Sequence, residues 1–131
     1  DVHTRLIMYK RIANAKNSEQ LYELQIEMID RFGLLPDEAK ALINLTELRL
    51  QAMKIGITEI RIGESGGRVK FSEKPNIEPM ALIQLLQSGG GHYRMEGPQV
   101  LHIMMELVSE EQRLQAVKTL FDELGQHQIN G

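Results

Sequence analysis

Residues 57–72 have the sequence ITEIRIGESGGRVKFS. Apolar and polar side chains alternate on both sides of Gly66-Gly67, and this period of two is typical of two strands joined by a tight turn. The alternation places Val69 and Phe71 together on the face that would contact a core. The stretch therefore predicts a β-hairpin, and it decides the fold class because the segments before it have helical periodicity.

Three helices are predicted before this hairpin. The first covers residues 3–16. The second follows the N-cap Asn17 and ends near Arg31, with Gly33 at the place of a left-handed C-cap. The third begins at Pro36 and ends near Lys54. The expected apolar stripe of the first helix is Val2, Leu6, Tyr9, Ile12 and Ala13, and that of the second is Leu21, Leu24, Met28 and Phe32. Apolar residues surround well over half of the third helix, which is typical of a helix packed on several sides.

The remainder of the chain predicts a short helix, a second hairpin and a last helix. The short helix begins at Pro79, the strands cover residues 92–96 and 99–105, and the last helix begins at the N-cap Ser109. Strands that come in hairpins favour an α+β fold. We expect an N-terminal three-helix layer, an antiparallel sheet from two β-hairpins with an intervening short helix, and a C-terminal helix, all in a single domain over residues 1–131.

Composition excludes several classes of protein. The 131 residues are 42% hydrophobic and 25% charged, with a net charge of -3, which is ordinary for a globular domain and unlike a surface that grips nucleic acid everywhere. The absence of cysteine excludes disulfides and thiol catalysis and fits a cytoplasmic location. No apolar run is long enough to cross a membrane. Because the chain starts directly in helical sequence, we expect it to be part of a larger protein.

No motif points to catalysis or to a bound cofactor. Gly63–Arg68 resembles a phosphate loop only in its glycines, because Arg68 enters a strand where a Walker loop would continue into a helix. The histidines His3, His92, His102 and His127 lack the helical spacing of metal ligands, although His92 and His102 could face each other across the second hairpin. The sequence predicts neither an enzyme nor a metal site, and a small hydrolase would require a pocket with perturbed ionisable groups.

Two charged surfaces are candidate binding sites. The first helix is locally basic, and a nucleic-acid contact there would use Arg5, Lys10, Arg11 and Lys16. On the second helix, steps of about 100° per residue bring together Glu23, Glu27, Asp30 and Arg31, opposite the apolar stripe. A compact surface of both signs can orient a partner. Either surface could instead be an ordinary solvated helix face.

Two stretches resemble a known family. They are Asp1–Ala13 and Glu27–Pro36, and both are similar to the C-terminal domain of the bacterial transcription-repair coupling factor, Mfd. The segment His92-Tyr93-Arg94 with Gly97-Pro98 is similar to a strand and turn of that family. The resemblance extends over about residues 1–124 and implies the C-terminal domain of a large multidomain protein.

The resemblance implies a function that the residues alone do not. The parent would be an ATP-driven DNA translocase that displaces stalled RNA polymerase and recruits UvrA in nucleotide excision repair. Its ATP and magnesium would bind in motor domains, and this chain would hold no cofactor. The domain would pack on the N-terminal UvrA-binding module as an autoinhibitory clamp, and we expect Glu27, Asp30 and Arg31, with Glu23, to form that contact. The alternative is an accessory nucleic-acid-binding module.

Overall fold

A computed structural model describes residues 2–125, and it confirms the α+β fold. The elements are α1 (Val2–Ala13), α2 (Ser18–Phe32), α3 (Asp37–Ile55), β1 (Ile57–Gly63), β2 (Gly66–Phe71), α4 (Pro79–Ser88), β3 (Tyr93–Glu96), β4 (Val100–Ile103) and α5 (Glu110–Gly125). The chain divides into two compact units, Asp1–Gln51 and Ala52–Gly131. The boundary lies within α3, and a single domain over residues 1–131 stays a prediction.

The ends of α2 follow from its sequence. The Asn17 side chain accepts a hydrogen bond of 2.7 Å from the Gln20 backbone N–H, and the Gln20 side chain accepts one of 2.8 Å from the Lys16 N–H. These reciprocal bonds satisfy donors that a helix N-terminus leaves without partners. Gly33 has a φ of 81° and ends the helix with an N–H that donates to the Ile29 carbonyl. The predicted cap and the position of the stop are confirmed, but the left-handed C-cap is not, because the ψ of Gly33 is -135°.

The first unit has its core between α1, α2 and the first part of α3. Its buried residues are Met8, Ile12, Ala15, Leu21, Leu24, Met28, Ala39, Ile43 and Leu50. The stripe expected on α2 is confirmed, with Phe32 packed against this core. The stripe expected on α1 is wrong in part, because Val2, Leu6 and Ala13 are exposed and Met8 is buried. Met8, Ile12 and Ala15 also have helical spacing, and this stripe is the one that faces the core.

The second unit is built on a four-stranded antiparallel sheet. The strand order is β1-β2-β4-β3, so that the two predicted hairpins are joined through β2 and β4. Val69 and Phe71 lie on the buried face, as predicted, together with Leu101 and Ile103. Helix α4 contacts both α5 and β3. The opposite face of the sheet presents polar side chains to solvent.

The third helix departs from the expectation of burial around its circumference. Leu45 is 58% exposed and Met53 is 57% exposed, whereas Ile43 and Leu50 are buried. Thr46 is buried with its hydroxyl donating a hydrogen bond of 2.8 Å to the Leu42 carbonyl. Within residues 2–125, no helix combines the length and the apolarity needed to cross a membrane.

Candidate protein-interaction surface

Glu27 lies between two arginines that come from different helices. Nη1 of Arg11 in α1 donates to Oε2 of Glu27 at 2.7 Å, and Nη2 donates to Oε1 at 3.2 Å. Nε of Arg31, one turn further along α2, lies 3.8 Å from the same Oε2. This bidentate contact fixes the orientation of the Arg11 and Glu27 side chains. The structure therefore brings together two of the four predicted interface residues, Glu27 and Arg31, and adds Arg11 to them.

The contact between Arg11 and Glu27 favours the charged form of both side chains. The hydrogen bond from Arg11 holds the pKa of Glu27 below its usual value; burial opposes this effect, and the positive charges of Arg11 and Arg31 lower the pKa further. The hydrogen bond to Glu27 likewise raises the pKa of Arg11. Between one third and one half of these two side chains is exposed, and ion pairs in such positions contribute little to stability. The geometry is therefore suited to fixing a surface pattern of charge.

The other two predicted residues leave their charges open to solvent. Glu23 and Asp30 are exposed, and neither forms an ion pair or hydrogen bond within the part of the chain that the structure describes. They lie about 20° apart on the helical wheel, on the side of Glu27 that faces away from the core. Two carboxylates without cations beside them favour a partner that supplies positive charge.

An apolar stripe beside these carboxylates was missed in the sequence. Tyr22 is 64% exposed, Ile26 is 49% exposed and Ile29 is 47% exposed. Their spacing of four and three residues places them within about 60° of arc on α2. In the sequence these three residues form a second apolar stripe on α2, next to the stripe that faces the core. An exposed aromatic residue flanked by apolar side chains and bordered by charge is typical of a protein-binding surface.

The four basic residues of the predicted nucleic-acid surface divide into two kinds, and Lys16 lies beyond α1, which ends at Ala13 and not at residue 16 as predicted. The Arg5 guanidinium lies 5.8 Å from the centre of the Phe32 ring, a cation–π contact, and Arg11 is paired with Glu27. Lys10 and Lys16 are exposed. Two of the four positive charges of the predicted nucleic-acid surface are thus engaged within the first unit. A nucleic-acid contact by these four residues stays a prediction.

The histidines do not form the arrangement that the sequence left open. Nε2 of His102 lies 2.8 Å from Oε1 of Glu96, and the residue opposite His102 on β3 is Arg94. Nδ1 of His92 lies 3.1 Å from the Met104 carbonyl. Within residues 2–125, no three His, Cys, Asp or Glu side chains are grouped so that they could hold a metal ion. His127 lies outside the described residues.

Comparison with known proteins assigns the chain to a family. The model of the TRCF domain matches residues 1–82, which include the whole of α1, α2 and α3. The chain belongs to the transcription-repair-coupling factor family. A transcription-repair-coupling factor of Escherichia coli (strain K12) is 44% identical over 129 residues, covering 98% of this chain and 11% of the relative. One of Haemophilus influenzae is 43% identical over 120 residues, covering 92% and 10%.

A solved structure has a similar fold. The crystal structure of the C-terminal domain of transcription-repair coupling factor superposes with a TM-score of 0.67 at 18% identity, covering 96% of this chain and 81% of that one. The chain therefore has the fold of that C-terminal domain. It spans about one tenth of the length of the relatives named above.

Proposed function

We propose that this domain regulates the factor by packing on its N-terminal UvrA-binding module through the exposed face of α2. The clamp surface is defined as Glu23, Glu27, Asp30 and Arg31 together with the apolar stripe Tyr22, Ile26 and Ile29. The closed contact hides the UvrA-binding surface, and engagement of RNA polymerase opens it. The whole factor, in this proposal, is a cytoplasmic ATP-dependent DNA translocase that displaces stalled polymerase and recruits UvrA.

The observation that supports the proposal most directly is the pairing of Glu27 with Arg11 and Arg31. A clamp must bind specifically and must also open, so that moderate area and polar contacts suit it better than a large apolar surface. The pairing fixes Glu27 and Arg31 in place, and the open carboxylates of Glu23 and Asp30 supply specificity, because a partner without positive charge would cover those two carboxylates and leave them unpaired. The half-exposed apolar side chains supply area that can be covered and uncovered again.

Opening also has an energetic requirement. A partner shifts an equilibrium between closed and open forms only if it binds the two forms with different affinity. The clamp surface meets this requirement if polymerase, once engaged, contacts groups that are hidden in the closed form. Tethering within one protein raises the effective concentration of the two modules to the millimolar range, so even a weak contact can keep the clamp closed.

The proposal is tested by calorimetry and by recruitment of UvrA. The 131-residue chain is titrated with the N-terminal module of the same factor, and the double variant Glu27→Lys/Asp30→Lys is compared with the native chain. We expect the reversal of both charges to weaken binding by about tenfold, equivalent to about 1.4 kcal/mol. In the full-length factor the same variant should bind UvrA more tightly, because the surface that the clamp hides becomes accessible.

Two controls make the result specific. Glu47→Lys applies the same change of charge to an exposed residue of α3, and it should leave both measurements unchanged. Asp30→Lys alone tests the surface without breaking the pair of Glu27 with Arg11. Unchanged UvrA affinity in the double variant, or an equal effect of Glu47→Lys, would contradict the assignment of the clamp to α2.

A further inference from the structure

Four cationic or potentially cationic side chains form one straight row across the sheet of the second unit. Arg61 on β1 is opposite Arg68 on β2, Arg68 is opposite His102 on β4, and His102 is opposite Arg94 on β3. We call Arg61, Arg68, His102 and Arg94 the cationic row. Three strand spacings separate its ends, which gives a length of about 14 Å.

The cationic row lies on the open face of the sheet. The residues next to its members along the strands, such as Val69 and Leu101, are buried on the opposite face. The side chains of Arg61, Arg68 and Arg94 are exposed. All four members line one shallow depression of about 440 Å³. The face is therefore accessible to a ligand along its whole length.

Positive charge is concentrated on this face. Three of the strands, β1, β2 and β3, direct Arg61, Arg68, Lys70 and Arg94 to it, which are four of the eight Lys and Arg residues in positions 52–131. The same face carries two of the ten Asp and Glu residues in positions 52–131. They are Glu59 beside Arg61 and Glu96 beside His102. The pKa of Glu96 is lowered mainly by its hydrogen bond to His102, and the charges of Arg94 and Arg68 lower it further.

The row has a cost in stability. Like charges directly opposite each other on neighbouring strands destabilise a sheet, and Arg61 and Arg68 are such a pair. The ion pair of Arg61 with Glu59 uses the Nε atom, so the terminal nitrogens of its guanidinium keep their donors. An arrangement that a sheet does not need for its own stability indicates a ligand of the opposite charge.

We propose that the cationic row binds the phosphate backbone of duplex DNA. Its length of about 14 Å, extended by the reach of the arginines, allows contact with phosphates on both sides of a groove, since the major groove is about 12 Å wide. Arginine suits phosphate because its planar guanidinium can donate two parallel hydrogen bonds to it. Contacts of this kind position a protein on DNA without selecting a sequence.

Two features favour duplex DNA over single-stranded nucleic acid and over a protein partner. Single-stranded nucleic acid is bound by stacking on aromatic residues, and the aromatic residues of the strands, Phe71 and Tyr93, belong to the positions that alternate with the row. Protein interfaces usually contain buried aromatic or apolar anchors. The exposed apolar residue beside the row is Met104, and the row itself is polar throughout.

The test is the salt dependence of DNA binding by the 131-residue chain. Fluorescence anisotropy with a labelled 24-base-pair duplex is measured from about 20 to 200 mM NaCl, a range in which phosphate contacts dominate. Three or four contacts predict that log K falls with log salt at a slope of about -2.7 to -3.6. The double variant Arg68→Gln/Arg94→Gln should reduce that slope by about 1.8 and weaken binding at 50 mM salt on the order of tenfold or more.

The matched control removes two positive charges from the first unit. Lys10→Gln/Lys16→Gln should leave the salt slope of DNA binding unchanged. Arg68→Gln/Arg94→Gln should unfold at a temperature no lower than that of the native chain, because this double variant relieves like-charge contacts. A slope that falls in the lysine variant and not in the arginine variant would place the contact on the first unit and overturn the proposal. Tighter binding of the single strand, equal competition by polyglutamate, or no binding at 20 mM salt would overturn it as well.

Discussion

Gly66 is a position where a single methyl group would disturb the sheet. Its φ is 114°, a conformation that residues with a Cβ rarely adopt, and an added Cβ would lie 2.0 Å from the backbone carbonyl oxygen of Ile103 on β4. Gly63, its partner in the β1–β2 register, has open space where a Cβ would be added, and its φ is not positive. Gly66→Ala and Gly63→Ala therefore form a matched pair of variants that differ in backbone conformation and in contact.

The magnitude follows from the two effects at Gly66. Holding alanine at a positive φ costs about 1–2 kcal/mol. Real Cβ atoms stay at least 3.0 Å from such an oxygen, so β2 and β4 must separate by about 1 Å and weaken one or two hydrogen bonds worth about 1 kcal/mol each. We expect Gly66→Ala to lower the free energy of unfolding by about 2–4 kcal/mol, which corresponds to a loss of about 10 °C in Tm.

The assay is urea unfolding followed by circular dichroism, with thermal unfolding as a second measurement. Gly63→Ala should stay within about 0.5 kcal/mol of the native chain, as expected for an open surface position. A Gly66→Ala variant as stable as Gly63→Ala would refute the structural role of the glycine. The result also decides between a tight turn and a phosphate loop at Gly63–Arg68, because only the turn interpretation requires a close approach of Gly66 to β4.

Three smaller changes test the first unit. Asn17→Ala removes the side chain that caps α2 through Gln20 and should cost about 1 kcal/mol of stability in urea unfolding. Arg49→Met removes hydrogen bonds of 3.0 Å to the Ala13 carbonyl and 2.6 Å to the Ala15 carbonyl, and it should cost about 2 kcal/mol of stability in the same assay. The carboxyl of Glu27 should titrate by NMR below its ordinary pKa of 4.5 and should return towards that value in Arg11→Met. Since the folded pKa is lowered, the contribution of this pair to stability is present above pH 4.5 and is lost as pH falls through the folded pKa; a midpoint at or above 4.5 would contradict the pairing.

Local features of the fold could be predicted because their signals lie close together in the sequence. The cap at Asn17, the stop at Gly33 and the hairpin turn each depend on residues within a few positions of one another. The stripe of α1 could not be chosen in the same way. Val2 with Leu6 and Met8 with Ile12 both have helical spacing, and only packing against the other helices decides which stripe is buried.

The cationic row could not be predicted because it depends on long-range register. Arg68 and His102 are 34 positions apart in sequence, and they are opposite each other only because β2 pairs with β4. A shift of this pairing by one residue would put Arg68 opposite a residue of the buried face. The contact of Arg11 with Glu27 was missed for a related reason, since two helices that are each correctly predicted still need a known packing to place their charges together.

The clamp surface and the cationic row can be tested independently because they use charge in opposite ways. On α2, Glu27 is neutralised by Arg11 and Arg31, and the open charges are the carboxylates Glu23 and Asp30, which repel DNA phosphates. On the sheet, the open charges are arginines, which repel a basic protein partner. Each variant is therefore also measured in the assay designed for the other surface. Arg68→Gln/Arg94→Gln should bind the N-terminal module as tightly as the native chain does. Asp30→Lys should leave the cationic row intact and retain the native salt slope with DNA to within one added contact. If both variants impaired both activities, the two surfaces would belong to one site, and the separate functions proposed for them would have to be abandoned.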